Sequence, residues 1–150
     1  MIKILIADDH QILLDGLSRI IEDIPDMQLV GTSRNGNEVI KIMKDLAVDV
    51  VLLDINMPEL NGVEACKQIS KKYPNTRLIA LSIYKRQSYI TRMFQFGAMG
   101  YLLKDDRAQE IEKAIRVVLN GDRYFISQIK IEINSLLERD QKKVRSVLGN

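Results

Sequence analysis

The chain has 150 residues, 46% hydrophobic and 28% charged, a balance typical of a soluble globular protein with room for a sizeable core. A formal charge of +2 argues neither for nor against nucleic acid, and a single cysteine excludes an internal disulfide and a Cys-cluster zinc site. No segment nears the roughly 20 apolar residues of a membrane span, and the start "MIKILIADD" is broken by acid where a signal peptide would stay apolar, so a cytoplasmic protein is expected.

In chain order, short apolar runs alternate with longer amphipathic stretches. "IKILIA" (2–7) reads as a first strand, and residues 11–23, with Ile12, Leu13, Leu17, Ile20 and Ile21 at helical spacing, as a first helix. "MQLVGTS" (27–33), "VDVVLLD" (48–54), "TRLIALS" (76–82) and "MGYLLK" (99–104) supply four more strands. Helices are predicted at about 36–46, 62–72, 85–96 and 106–120, bounded by turn signals such as Asn61-Gly62, Pro74-Asn75, Gly97 and Asn120-Gly121. The first, third and fourth strands are near-continuous apolar runs, the mark of parallel strands covered on both faces. Five strands alternating with five helices imply a doubly wound α/β fold with right-handed crossovers.

Asn120-Gly121 closes this body, and a boundary is expected near residues 122/123. Residues 1–122 carry 16 basic and 17 acidic side chains, whereas 123–150 carry 6 and 3. Beyond the boundary Ile126, Ile129, Ile133, Leu136, Leu137, Val144, Val147 and Leu148 keep a helical period, so a helical C-terminal extension with one apolar side is predicted. Cys66 falls within the third helix and reads as a passive small residue.

Functional groups of an open parallel sheet gather outside the carboxyl ends of its strands. Strand one ends in Asp8 and Asp9, strand three in Asp54, strand four in Ser82 and strand five in Lys104. Adjacent carboxylates at the end of a core strand repel each other unless paired or bound to a cation. Three carboxylates at one sheet edge call for a hard divalent cation, and Mg²⁺ takes oxygen ligands from carboxylates, phosphate and water. Taken singly, each of these residues has a plainer reading as a turn, a cap or a solvated charge; their convergence argues against coincidence. No G-x-G-x-x-G or G-x-x-x-x-G-K-[ST] motif is present, and the first turn "DDHQI" lacks the residues that would cradle a flavin phosphate. His10, the only histidine, cannot anchor a multi-His metal site and reads as the start of the first helix.

At these residues the chain resembles a bacterial two-component response-regulator receiver domain. The resemblance runs from Ile2 to about Gly121 and rests on "DD" after the first strand, "LLDINMPELNG", "LIALS" and "GYLLK". It implies the flavodoxin-like strand order 2-1-3-4-5. It also implies that Asp54 accepts a phosphoryl group from a sensor histidine kinase. Asp8, Asp9, Asp54 and the main-chain carbonyl of Asn56 would hold Mg²⁺, and Ser82 and Lys104 would meet the phosphoryl group. Met57-Pro58 and Asn61-Gly62 would shape the loop beside it, Gly62 fitting a tight turn or the start of the third helix.

Tyr101 matches the aromatic switch position of the family; a core or edge tyrosine of the fifth strand is the alternative. "DDH" and "GYLLKD" resemble the LuxR/NarL-type subgroup, whose receivers join a helix-turn-helix. Residues 123–150 resemble the linker to such a DNA-binding output domain and end before any helix-turn-helix pattern, so DNA contact is expected only through a domain beyond this chain. A homodimer is a further expectation, and no membrane is involved. Many receivers carry proline after the lysine, with a cis bond; here Asp105 follows Lys104, and a non-proline cis bond costs about 2.5–4 kcal/mol. A haloacid-dehalogenase-like phosphatase would need a second Asp where Asn56 stands, and a phosphorylation-independent scaffold would typically lack an acidic ligand or the lysine.

Overall fold

The computed structural model describes residues 1–57, 59, 62–83 and 87–125, with Tyr89 described by its backbone alone. Pro58, Asn61, the segment 84–86 and the predicted tail helices at 126–148 lie outside the described residues. Five strands and five helices alternate: β1 (Ile2–Ala7), α1 (Gln11–Glu22), β2 (Met27–Ser33), α2 (Gly36–Asp45), β3 (Val50–Asp54), α3 (Gly62–Lys72), β4 (Arg77–Ser82), α4 (Gln87–Gln95), β5 (Gly100–Leu103) and α5 (Ala108–Leu119). The strands pair in parallel in the order β2-β1-β3-β4-β5, the flavodoxin-like arrangement that the family resemblance implied. The pairing of β1 with β2 shifts register between Ile4 and Leu5.

The period-two alternation of a strand divides the core between two faces. Leu5, Ala7, Val51, Leu53, Leu78 and Ala80 face one layer, where α2, α3 and α4 contribute Val39, Met43, Cys66, Ile69, Ile90 and Phe94. Ile4, Ile6, Val50, Leu52, Ile79 and Leu81 face the other, against α1 and α5 through Leu14, Leu17, Ile21, Ile111, Ile115 and Val118. Central strands buried on both sides are therefore apolar throughout, which is why they read as unbroken runs. Each such Leu or Ile contributes about 1.5–3 kcal/mol on burial. Cys66 is part of this packing; burial chiefly pushes its thiol up to about 11, so it stays protonated and inert.

The body does not stop at Asp122. Tyr124 pairs with the free edge of β5: its amide donates to the Met99 carbonyl (2.9 Å), and the Tyr124 carbonyl accepts from the Tyr101 amide (2.8 Å). Its hydroxyl hydrogen-bonds Glu110 on α5. Phe125 turns to the opposite face and packs edge-on against Phe94, with ring centroids 5.2 Å apart. Two residues thus grip the last strand from both sides and cover backbone that an edge strand would leave open. Phe125→Ala should cost about 3 kcal/mol, read as a lower urea midpoint, whereas substitutions at exposed Arg123 should leave the midpoint nearly unchanged.

Candidate functional site: a carboxylate–lysine cluster at the strand ends

The parallel order brings the carboxyl ends of β1, β3, β4 and β5 to one edge. Asp8, just beyond β1, and Asp54, the last residue of β3, are both fully buried. Each is fixed by a main-chain amide two residues on: His10 N donates to Asp8 Oδ1 at 2.8 Å, and Asn56 N to Asp54 Oδ1 at 3.0 Å. These Asx-type turns hold one oxygen of each carboxylate and leave Oδ2 to face the neighbouring strand end. Lys104 Nζ stands 3.1 Å from Asp8 Oδ2 and 3.1 Å from Asp54 Oδ2. It meets both off the hydrogen-bonding direction, so the contacts are ion pairs and neither oxygen has a directed hydrogen bond. Lys104 is itself anchored by its amide, which donates to the Ser82 carbonyl at 2.9 Å.

Burial raises the Asp54 carboxyl above the usual carboxylate range; the Asn56 amide opposes this, the Asp8 charge adds to it, and the pull of Lys104 does not cancel the rise. Burial also works against the charge of Lys104, but its interactions with Asp54 and Asp8 outweigh it and lift the ammonium above its ordinary value. Asp9 is about one-third exposed, and its Oδ1 is buried without a hydrogen bond.

Two buried carboxylates thus share one lysine, and Asp8, Asp9 and Asp54 each present a buried oxygen with no hydrogen bond. This donor set fits a hard divalent cation such as Mg²⁺, whose oxygen-seeking chemistry those oxygens would satisfy. One ligand atom from each of Asp8, Asp9, His10 and Asp54 lies within 4.8 Å of the others.

Ser82 ends β4 fully buried. Period-two alternation puts it on the same face of the sheet as Ala80, whose register partner on β5 is Tyr101. Tyr101 is fully buried between that face and α4, in the layer that also contains Phe94 and Phe125. The Lys104–Asp105 bond is not cis.

Two participants were not assigned from sequence. His10 starts α1 as expected, but its ring also turns to the acidic pair, with Nδ1 3.1 Å from Asp8 Oδ1 and from Asp9 Oδ1. Arg34 donates from Nη2 to the Asp9 carbonyl at 3.0 Å. The available signal was positional: Arg34 stands one residue past β2, the strand whose end had been left without a functional group. The same β2–α2 turn also accepts the Asp8 amide at the Ser33 carbonyl (3.0 Å) and sends Asn37 Nδ2 to Glu59 Oε2 (3.4 Å). It therefore braces both acidic loops.

Residues 4–116 match the family described as the response regulator receiver domain. The chain is 38% identical over 124 residues to the transcriptional regulatory protein DegU of Brevibacillus brevis, covering 83% of this chain and 52% of that protein. It is 37% identical over 129 residues to response regulator GacA of Pseudomonas syringae pv. syringae, covering 86% of this chain and 60% of GacA. Among solved structures, a LuxR-family two-component response regulator from Aurantimonas sp. SI85-9A1 superposes with a TM-score of 0.81 at 27% identity, covering 89% of this chain and 95% of that one. The chain spans about half to three-fifths of the length of these curated relatives. No helix among the described residues is long and apolar enough to cross a membrane. By matched segment, fold and relatives alike, the chain belongs to the response-regulator receiver family.

Proposed function

We propose that this chain is a phosphorylation-controlled switch in which Asp54 accepts a phosphoryl group from a phosphohistidine on a sensor histidine kinase. The observation that carries this reading is the setting of Asp54: fully buried at the end of β3, with Oδ1 held by a backbone amide and Oδ2 beside Lys104. Oδ2 is the nucleophile; its bond to phosphorus forms as the bond from phosphorus to the donor nitrogen breaks, and the departing imidazole keeps that electron pair. Phosphoryl transfer to a carboxylate brings two anions together, so catalysis is mainly positioning and charge neutralisation. Lys104 supplies a fixed positive charge, and the Asn56 amide keeps the carboxylate from rotating. Mg²⁺, held by Asp8, Asp9, Asp54 and the Asn56 main-chain carbonyl, would neutralise the phosphoryl oxygens. The chain itself thereby promotes both phosphorylation and dephosphorylation of Asp54.

A protein phosphodonor suits the surroundings. Ile12 and Ile83 are 90% and 67% exposed, beside a groove of about 470 Å³ that runs from His10 and Lys104 along Leu13 and Ile20 of α1. Large apolar side chains left open around a reactive centre suit a partner's apolar face. The phosphoryl group adds roughly one to two negative charges beside Ser82 and Lys104. Ser82 then hydrogen-bonds it, and Tyr101 repacks against α4, altering the α4–β5 surface and shifting a two-state equilibrium. The receiver runs on to Phe125, past the boundary expected at 122/123, and the residues beyond it lead to a DNA-binding output domain, which alone would contact DNA in the cytoplasm; homodimerisation through the altered surface would couple the two.

Acetyl phosphate with Mg²⁺ should add one phosphoryl group to the protein, and chelator should prevent it. Labelling that persists unchanged in chelator would defeat the metal-assisted reading. Lys104→Ala should fold but label poorly or fail to switch. Ser82→Ala should label yet show little of the Tyr101 fluorescence response; a full response in that variant would break the proposed coupling.

A further inference from the structure

His10 has an unused side chain at the centre of this cluster. It occupies the N-cap of α1, yet the ring makes no capping hydrogen bond, while the main-chain amide donates to Asp8 Oδ1. The ring nitrogen Nδ1 lies 3.1 Å from Asp8 Oδ1 and 3.1 Å from Asp9 Oδ1. Adjacent vertices of an octahedron with bonds of about 2.1 Å are about 3.0 Å apart, so the nitrogen sits where a shared cation would want a neighbouring ligand. A hydrogen bond from Nδ1–H would explain only the Asp8 contact, because Asp9 Oδ1 receives no hydrogen bond although it lies at the same 3.1 Å. Independently, the fully buried Asp8 and Asp54 each carry an Oδ2 with no hydrogen bond, 3.1 Å from Lys104 Nζ, and a ligand atom of each lies within 4.8 Å of one from His10.

We propose that His10 Nδ1 is a further protein ligand of this cation site, making it a mixed nitrogen–oxygen site that prefers Mn²⁺ or another transition divalent cation to Mg²⁺. The inference rests on the carboxylate cation site of the proposed function and adds to it the choice of metal. Mg²⁺ seeks oxygen and dehydrates reluctantly, whereas imidazole nitrogen suits first-row transition ions. The ring is 67% exposed, so the nitrogen can be reached from solvent without opening the core.

Because His10 is the only histidine in the chain, pulsed electron paramagnetic resonance of Mn²⁺ bound to the tag-free protein tests this directly. A coordinated imidazole imposes strong nitrogen-14 modulation on the Mn²⁺ echo. That modulation is expected in the wild type and should vanish in His10→Ser, which keeps a favourable N-cap residue. Equilibrium dialysis should show His10→Ser losing Mn²⁺ affinity roughly tenfold while Mg²⁺ affinity changes less than about twofold. Mn²⁺ bound by the wild type without nitrogen modulation overturns the inference and leaves the carboxylate site standing. Modulation that persists in His10→Ser also overturns it. A wild-type protein that binds neither ion defeats the underlying metal reading as well. The wild-type spectrum decides the matter even should His10→Ser fail to fold.

Discussion

In metal-free buffer at neutral pH, Asp54→Asn should be more stable than the wild type, by about 1–3 kcal/mol, the cost typical of a buried group left without full compensation. Asparagine keeps the shape of the side chain and an oxygen to accept the Asn56 amide. It removes a charge that burial and Asp8 disfavour more than Asn56 and Lys104 favour. Lys104 still has Asp8 at 3.1 Å, so it is not orphaned by the change.

The sign of the pH dependence follows. A carboxyl whose folded pKa lies above its unfolded value of 3.8 binds its proton more tightly in the folded state. Wild-type stability is therefore favoured at and below that value and is lost as pH rises through the raised one. The advantage of Asp54→Asn should accordingly be near zero at the acid end, grow through that window and level off above it. Urea unfolding of both proteins across pH checks the shape of the curve. Millimolar Mg²⁺ should then stabilise the wild type by binding the folded form and narrow the gap. A variant that is less stable than wild type at neutral pH without metal would mean that Lys104 compensates Asp54 fully.

Gly62→Ala should be among the most damaging additions of a single methyl group. A Cβ at Gly62 would fall 2.3 Å from the Asp54 carbonyl oxygen and 2.4 Å from the Ile55 Cα. These are backbone atoms of the segment that carries the acceptor, so they cannot swing aside as a flexible side chain would. Either the first turn of α3 lifts, breaking the Gly62 amide bond to the Ile55 carbonyl (3.3 Å), or Asp54 moves. The expected loss is about 2–4 kcal/mol, together with slower labelling in the fraction that remains folded. Gly16→Ala is the matched control. Nothing lies within 4 Å of a Cβ there, and the position is inside α1, so it should stabilise by roughly 0.5–1 kcal/mol. Equal urea midpoints for the two variants would refute the close-approach argument.

Gly62 also shows where sequence reading stops. A turn or a helix start was the reason available from Asn61-Gly62, whereas the packing reason is the approach of α3 to the end of β3. Strand positions were legible because doubly covered parallel strands are apolar without interruption, as in Val50–Leu53, and the acidic, serine and lysine positions were legible because each terminates such a run. Tyr124 pairs only two residues' worth of backbone to β5, too little to leave a strand pattern, so its place on the sheet edge had no periodic signal. The Arg34 contact joins residues 25 positions apart, and only the order of β2 beside β1 makes it possible. His10 was read by its place at the start of a helix, while the direction of its ring follows from the Asx turn that Asp8 makes with its amide.

The most direct test of the central claim is to locate the phosphoryl group. Wild-type protein is incubated with acetyl phosphate and Mg²⁺, trapped by borohydride reduction of the acyl phosphate, digested and mapped by mass spectrometry. The account predicts reduction at Asp54 alone, dependent on Mg²⁺ and absent in Asp54→Asn. Modification at any other carboxylate, or labelling that survives in Asp54→Asn, would contradict it.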